Sequence, residues 1–288
     1  MDIIPQLIAN SIIAGALYAL IALGFNLIYG ATKFFNLTHG VIAAIGGYTV
    51  FFLTNSLGWN IYLAAVAGVL FAGLVGYGLE KILYKPLRKR KASQMILLVA
   101  SLGAFTAMQA IIAIIFSSQF QTLSLGAGDL KTFNIFGGII TVVQLVMLVS
   151  ALIIMVLLGV IMRWTMFGKA VEAISDEEEV AKVVGIHTNK IIGRVFFIGS
   201  AIAGLAGVLV GLDTGLEPTM GMSLLLKGVI ASIIGGVGNV YGAVLGAFLL
   251  GFVENFGIWK ISGEWKDAIA FGVLIIFLLF RPQGILRK

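Results

Sequence analysis

The sequence predicts an all-α, polytopic helical membrane protein with about eight or nine transmembrane helices. Three observations carry this. The 288 residues are 60% apolar and only 11% charged, with a mean hydropathy of +1.08. A soluble domain is usually about 45–50% apolar and about 25% charged. Next, Ile3 to Thr32, Phe34 to Leu79, Ala92 to Gly128, Thr132 to Met162 and Val195 to Leu212 contain no Asp, Glu, Lys or Arg. A spanning helix needs about 20 mostly apolar residues. Finally, these runs are uniformly apolar rather than alternating in segments of about 10 residues, which argues against a membrane barrel. Only helices then satisfy the backbone inside lipid.

Taken in order, the spans fall at 5–30, 38–54, 60–82, 93–117, 137–162, 191–212, 222–236, 240–257 and 266–281. The start, MDIIPQLIANS, lacks the basic region of a signal peptide and reads as the approach to the first span. The run from Phe34 to Leu79 is broken by TNSLGWN (54–60), so it holds two spans. The basic cluster YKPLRKRK (84–91) sets the loop after the third span on the cytoplasmic side. Nine spans then place the N-terminus outside and the C-terminus in the cytoplasm. Fifteen of the 19 Lys and Arg fall inside on this topology, Arg287 and Lys288 among them. Lys131, Lys227, Lys260 and Lys266 fall outside. If 222–257 crosses once, there are eight spans and RPQGILRK lies outside, which the charge bias disfavours. The pI near 9.5 follows from these loop cations and implies no nucleic acid.

HGVIAAIGGYTV (39–50) resembles KGVIASIIGGVGNV (227–240), and the two run in opposite directions on this topology. That is what an inverted repeat leaves behind, with chance similarity among Gly, Ala, Val and Ile as the rival. Both carry glycine pairs, Gly46–Gly47 and Gly235–Gly236, and the second continues through Gly238 and Asn239. Interrupted helices often line a transport path. Gly207/Gly211 and Gly242/Gly246 have small-xxx-small spacing, for which close packing is the simpler reading.

One stretch stands apart. EAISDEEEVAKVVGIHTNK (172–190) is polar and acidic, inside a cytoplasmic loop at about 163–190 of a single domain spanning 1–288. Ser175 and Glu178 have capping-box spacing. Asp176, Glu177 and Glu178 suit a helix N-terminus. Gly185 suits its left-handed closure. The expectation is one helix over 176–184, with Val180, Val183 and Val184 on one face. A helix this short is marginal alone and needs something to pack on. Four consecutive acids disfavour an anionic lipid surface, where such helices are rich in Lys and Arg. A protein partner in the cytoplasm is favoured over self-packing.

These residues carry a family resemblance. The insert resembles the EAA-type loop of ATP-binding-cassette importer permeases, in which a short helix followed by Gly docks into a groove on the ATPase. FNLIYGATKFFNLTHGVIAAIGGY (25–48), IIGGVGNVYGAVLGAFLLGFVEN (233–255) and LLFRPQGILRK (278–288) resemble the signature, late glycine-rich and C-terminal segments of LivH-type branched-chain amino acid permeases. The matches lie in the expected order along nearly the whole chain. The family usually carries an Asn-Phe-Ala-His-Gly-like run, and here it reads Asn36-Leu37-Thr38-His39-Gly40. That departure bears on the solute, since related permeases are described for urea, short amides and other neutral amino acids.

The resemblance implies a permease subunit that carries branched-chain or other small neutral amino acids, or urea- or amide-like solutes. It would sit in a bacterial-type inner membrane with a paralogous permease, two ATPases and a periplasmic or lipid-anchored solute-binding protein. It implies no cofactor on this chain, with ATP and Mg held by the ATPases. The coupling set is Ser175, Asp176, Glu178, Val180, Ala181, Val183, Val184 and Gly185. The candidate path set is Asn26, Asn36, Thr38, Gly235, Gly236, Gly238 and Asn239, with helix capping the alternative for Asn36 and Thr38. Ser101, Thr106 and Gln109 give the fourth span a polar stripe that faces a pore or bonds neighbouring helices. His39 reads as structural, and Glu80 and Glu254 as span-end residues that reach to water.

The chain has no cysteine and only two histidines, His39 and His187. No nucleophile elbow, zinc pattern or phosphate loop is present, so an enzyme is disfavoured and any ATP must bind another chain. The second class of function is an autonomous channel or secondary carrier for a small neutral solute. It accounts for the glycine-broken helices but not for the acidic insert.

Overall fold

A computed structural model describes residues 3–123, 131–135 and 137–286. Arg287 and Lys288, two of the cytoplasmic cations counted above, lie outside the described residues. The first long helix is α1 (Ile3–Thr32), followed by α2 (Thr38–Asn55) and α3 (Ile61–Leu79). A π-helical turn, Glu80–Tyr84, carries α3 into the basic α4 (Lys85–Lys89). Then come α5 (Gln94–Phe116), α6 (Val142–Trp164), the short α7 (Met166–Asp176) and α8 (Glu178–Val183), and α9 (Thr188–Asp213). The chain ends with α10 (Met220–Gly235), α11 (Val240–Gly257) and α12 (Lys266–Phe280).

Each helix start has a local cause. The Asn60 and Ser93 side chains accept from the Tyr62 and Ile96 amides and cap α3 and α5. Thr141 and Gln144 form a reciprocal capping box at the start of α6. That start corrects the expected span at 137. Thr132–Ile135 and Gly138–Thr141 instead form an antiparallel hairpin, β1–β2, which Gln6 of α1 anchors through both the amide and the carbonyl of Ile139.

Helix α1 is buried along most of its length and forms the axis of the bundle. Its neighbours repeat in kind. Helix α2 packs on α3 and α9, while α10 packs on α11 and α1; α3 lies along α9, while α11 lies along α1. Helix α5 flanks α2 as α12 flanks α10. The set α1, α2, α3, α5 therefore matches the set α9, α10, α11, α12.

Small residues make these crossings possible. Gly24 meets Gly199, Gly40 meets Gly221, Gly46 meets Gly204 and Gly235 meets Gly242, and a Cβ at any of them but Gly204 would strike the opposing backbone; at Gly204 it would strike the Ala72 side chain. Gly235, one of the candidate path residues, thus sits at a close helix crossing. The outer helices α5, α6 and α12 turn apolar side chains such as Ile114, Leu152 and Leu279 outward. Among the described residues, six helices are long and apolar enough to cross a membrane, and α10 is a shorter apolar one.

Candidate functional site

The insert is two helices rather than one. Helix α7 starts where the Thr165 hydroxyl accepts from the Gly168 amide at 3.1 Å. It buries Gly168, Val171, Ile174 and Ser175, the face that packs on α1, α6 and α9. Ser175 is therefore not the N-cap of α8: it is a buried helical residue whose hydroxyl accepts from Lys33 Nζ at 3.1 Å. Asp176 ends α7, and Glu177 adopts an extended conformation (φ −154°, ψ 110°) as the N-cap of α8, without a side-chain cap. The expected helix over 176–184 thus begins two residues later. A preceding amphipathic helix takes in 175 and 176, burying Ser175 against the bundle while Asp176 stays exposed.

Helix α8 is built to protrude. Ala181 is its buried residue. Glu178 accepts from the Thr188 hydroxyl at 3.2 Å, which ties the helix to α9. Glu179 at 2.9 Å and Glu178 at 3.1 Å hold the Lys182 ammonium above the usual lysine range. The C-terminus closes in a Schellman motif: the Ile186 amide donates to Ala181 O and the Gly185 amide to Lys182 O, both at 3.0 Å. Gly185 has φ +89°, as that motif requires. Val180, Val183 and Val184 are 54, 87 and 68% exposed. Three valines on one face of a fixed short helix form an exposed apolar patch.

The path residues separate into two groups. Asn36 Oδ1 accepts from the Thr38 amide at 3.2 Å, from the Thr38 hydroxyl at 2.5 Å and from the Tyr84 hydroxyl at 2.9 Å. All three residues are buried, and Leu37 is the N-cap position of α2. Thr38 is thus the first residue of the helix and not its cap. Asn36 lies one residue before the N-cap position and accepts from the first helical amide, that of Thr38. His39 Nε2 lies 3.2 Å from Ile21 O, which fixes the ring inside the bundle. Ser101 meets this corner through the Leu37 amide, while Thr106 bonds its own helix at Leu102 O, so the stripe on α5 is not one surface.

The second group surrounds the break between α10 and α11. Asn26 Oδ1 accepts from the Gly238 amide at 2.9 Å, and Asn26 Nδ2 donates to Asn239 O at 3.4 Å. Asn239 caps α11 through the Tyr241 and Gly242 amides. Gly236, at φ +113°, lets the chain turn away from α10. The last carbonyls of α10, on Ile234 and Gly235, accept from the Ile285 and Leu286 amides of the C-terminal tail. The groups freed by the break are therefore satisfied within the protein. Asn26, Gly238 and Asn239 also line a cavity of about 380 Å³ together with Arg163, Glu172 and Ser175. The break and the insert share one space.

Sequence reasoning missed a buried ion cluster. Glu254 of α11 is fully buried, and Lys227 of α10 bonds its Oε1 at 2.5 Å. The Tyr18 hydroxyl, at the middle of α1, donates to Glu254 Oε2 at 2.7 Å. Asp267, in the first turn of α12, lies 2.8 Å from Lys227, and Lys266 lies 3.9 Å from Glu254. Glu254 does not reach to water, and Lys227 is not a loop cation. Glu80 is likewise buried, and Arg88 pairs with it. The signal was present: both Lys227 and Glu254 have apolar runs on each side. Lys227, Tyr18 and Asp267 line a second cavity of about 740 Å³, with Asp213, Glu217, Met147, Leu224 and Phe271.

Residues 7–278 match the family model described as the branched-chain amino acid transport system / permease component. The chain belongs to this permease family. It is 31% identical, over 98% of its length and 95% of the relative's, to the high-affinity branched-chain amino acid transport system permease protein LivH of Escherichia coli (strain K12). BraD of Pseudomonas aeruginosa, of the same description, is 31% identical over the same shares of both chains. A LivM permease of Salmonella typhimurium is 22% identical over 94% of this permease and 68% of its own length. Among solved structures, PsaBC from Streptococcus pneumoniae in complex with Fab superposes with a TM-score of 0.53 at 12% identity, covering 98% of this permease and 93% of that chain. That likeness is one of fold.

Proposed function

We propose that this permease is the membrane-spanning subunit of an ATP-driven importer that moves branched-chain or other small neutral amino acids into the cytoplasm. The single observation that carries the reading is the α8 patch. A six-residue helix, fixed at both ends, presents Val180, Val183 and Val184 to solvent. Such a patch suits a hydrophobic groove on a partner. The partner in this reading is an ATPase, one of two, since no phosphate loop is present in this chain. The names of the LivH and LivM relatives support a second, paralogous permease beside it. A solute-binding protein delivers the solute from outside.

In this reading the chain crosses the inner membrane nine times, with the N-terminus outside and α7, α8 and the C-terminus in the cytoplasm. The matched packing of α1, α2, α3, α5 and α9, α10, α11, α12 supports an inverted repeat. ATP-driven movement of α8 reaches α7 and, through the cavity that they share, the Asn26-clamped break.

The test is reconstitution. Leucine uptake into proteoliposomes should require the paralogous permease, the ATPases, ATP and the binding protein. A second reading, an autonomous carrier, gains one specific observation in the buried Tyr18–Glu254–Lys227–Asp267 cluster, since coupled carriers often bury ionisable groups. ATP-independent leucine flux through this chain alone would establish that reading instead.

A further inference from the structure

We propose that Lys227 binds the carboxylate of the transported solute in the 740 Å³ cavity, and that Asp267 is an internal stand-in which that carboxylate displaces. The inference rests on the functional reading above.

The two acids beside Lys227 are not equivalent. Glu254 is fully buried and is held by Lys227 on one oxygen and by the Tyr18 hydroxyl on the other. Its removal from Lys227 would leave a carboxylate in the bundle core, at large cost. Asp267 has a side chain that is 73% exposed, on the first turn of α12. It can leave Lys227 for water at little cost, because its carboxylate already faces solvent and Lys227 keeps Glu254 as a partner. What remains is a buried ammonium, whose own side chain is 10% exposed, in the wall of a cavity. An ammonium offers three donors, and the one that Asp267 occupies becomes open to another carboxylate.

Charge bookkeeping points the same way. With Lys227, Lys266, Glu254 and Asp267 ionised, the cluster is neutral. When Asp267 swings away, a net positive charge remains, and an incoming carboxylate restores neutrality without moving a proton. The same cavity carries Asp213 and Glu217, which suit an α-ammonium group. Its apolar wall, from Leu17, Met147, Leu224 and Phe271, suits an aliphatic side chain. A volume of about 740 Å³ lies within the usual range for small-molecule sites, about 300–1,000 Å³. The chemistry fits a zwitterion with an apolar side chain, and neither urea nor a simple amide needs the ammonium.

The experiment uses the assembled transporter in lipid nanodiscs without its solute-binding protein. Binding of radiolabelled L-leucine is measured, with L-leucinol, which lacks the carboxylate, as the control ligand. Asp267→Asn removes the competitor from an exposed position and should tighten leucine binding about two- to fivefold, the scale of an exposed ion pair, without changing leucinol binding. The double variant Lys227→Gln/Glu254→Gln keeps a neutral pair in the core and should weaken leucine about tenfold or more, again sparing leucinol. Leucine uptake by the complete transporter is measured alongside. Its absence overturns the functional reading, and this inference with it. Uptake without measurable leucine binding, with affinity unchanged or weakened in Asp267→Asn, or with wild-type binding in the double variant, overturns this inference alone.

Discussion

The side chain of Asn26, in the first helix, accepts a 2.9 Å hydrogen bond from the backbone amide of Gly238, 212 residues away. Its amide nitrogen also reaches Asn239 O. One side chain thus splints the turn between α10 and α11 against the axial helix. The cavity beside it is walled by α6 and α7 as well, so this splint lies between the insert and the bundle core.

Asn26→Ala should therefore destabilise the protein. The Gly238 amide and Asn239 carbonyl are part-buried, so each lost bond costs about 0.5–1.5 kcal/mol. The expected outcome is a lower thermal midpoint in detergent and slower leucine uptake by the reconstituted transporter. A midpoint equal to wild type would show that the turn holds itself.

The Lys227–Glu254 pair should be strongly coupled. Removing one partner of a buried pair costs about 3–5 kcal/mol, because the other charge is stranded. Glu254→Leu and Lys227→Met should each lower folded yield sharply. Lys227→Met combined with Glu254→Leu should recover much of it, since apolar replacement of a whole buried pair is often tolerated. Thermal unfolding of the four proteins forms a double-mutant cycle, and simple additivity would contradict a direct pair.

At Gly185, the positive φ of +89° closes α8. A β-branched residue there meets a left-handed penalty of roughly 1–2 kcal/mol. Gly185→Val should leave membrane insertion intact and lower uptake, because the patch on α8 loses its fixed pose. Uptake at the wild-type rate by a correctly inserted variant would remove the coupling role from this motif.

The crossing of α2 and α10 at Gly40 and Gly221 leaves no room for a side chain, because the atoms in the way are backbone. Gly40→Val should block packing of the bundle and show as loss of monodisperse protein in size-exclusion chromatography. Substitution at Gly78, which has open space around it, should be tolerated.

Much of this was legible in the sequence. Long apolar runs and their polar breaks placed the helices to within a few residues, because length and hydropathy alone decide them in lipid. The Gly185 closure and the valine face were legible too, since both follow from local backbone rules. The two errors in the insert have one cause. The spacing of Ser175 and Glu178 is local, but Ser175 belongs to a helix face chosen by burial against α1, α6 and α9. Similarly, span-end position suggested that Glu254 and Glu80 face water. Their partners, Lys227 and Arg88, are set by tertiary packing and by a π-helical turn that periodicity does not reveal.

In the proposed importer, the α8 patch docks an ATPase. The most direct measurement is gentle extraction of the tagged chain from native membranes, with mass spectrometry of what co-purifies, for wild type and Val183→Asp. Val183 is 87% exposed, so the variant should fold and insert normally. A phosphate-loop ATPase and a paralogous permease should co-purify with the wild type, and the ATPase alone should be lost from the variant. Equal recovery of the ATPase with both would contradict docking through α8, and recovery of this chain alone, competent in solute flux, would contradict the importer reading itself.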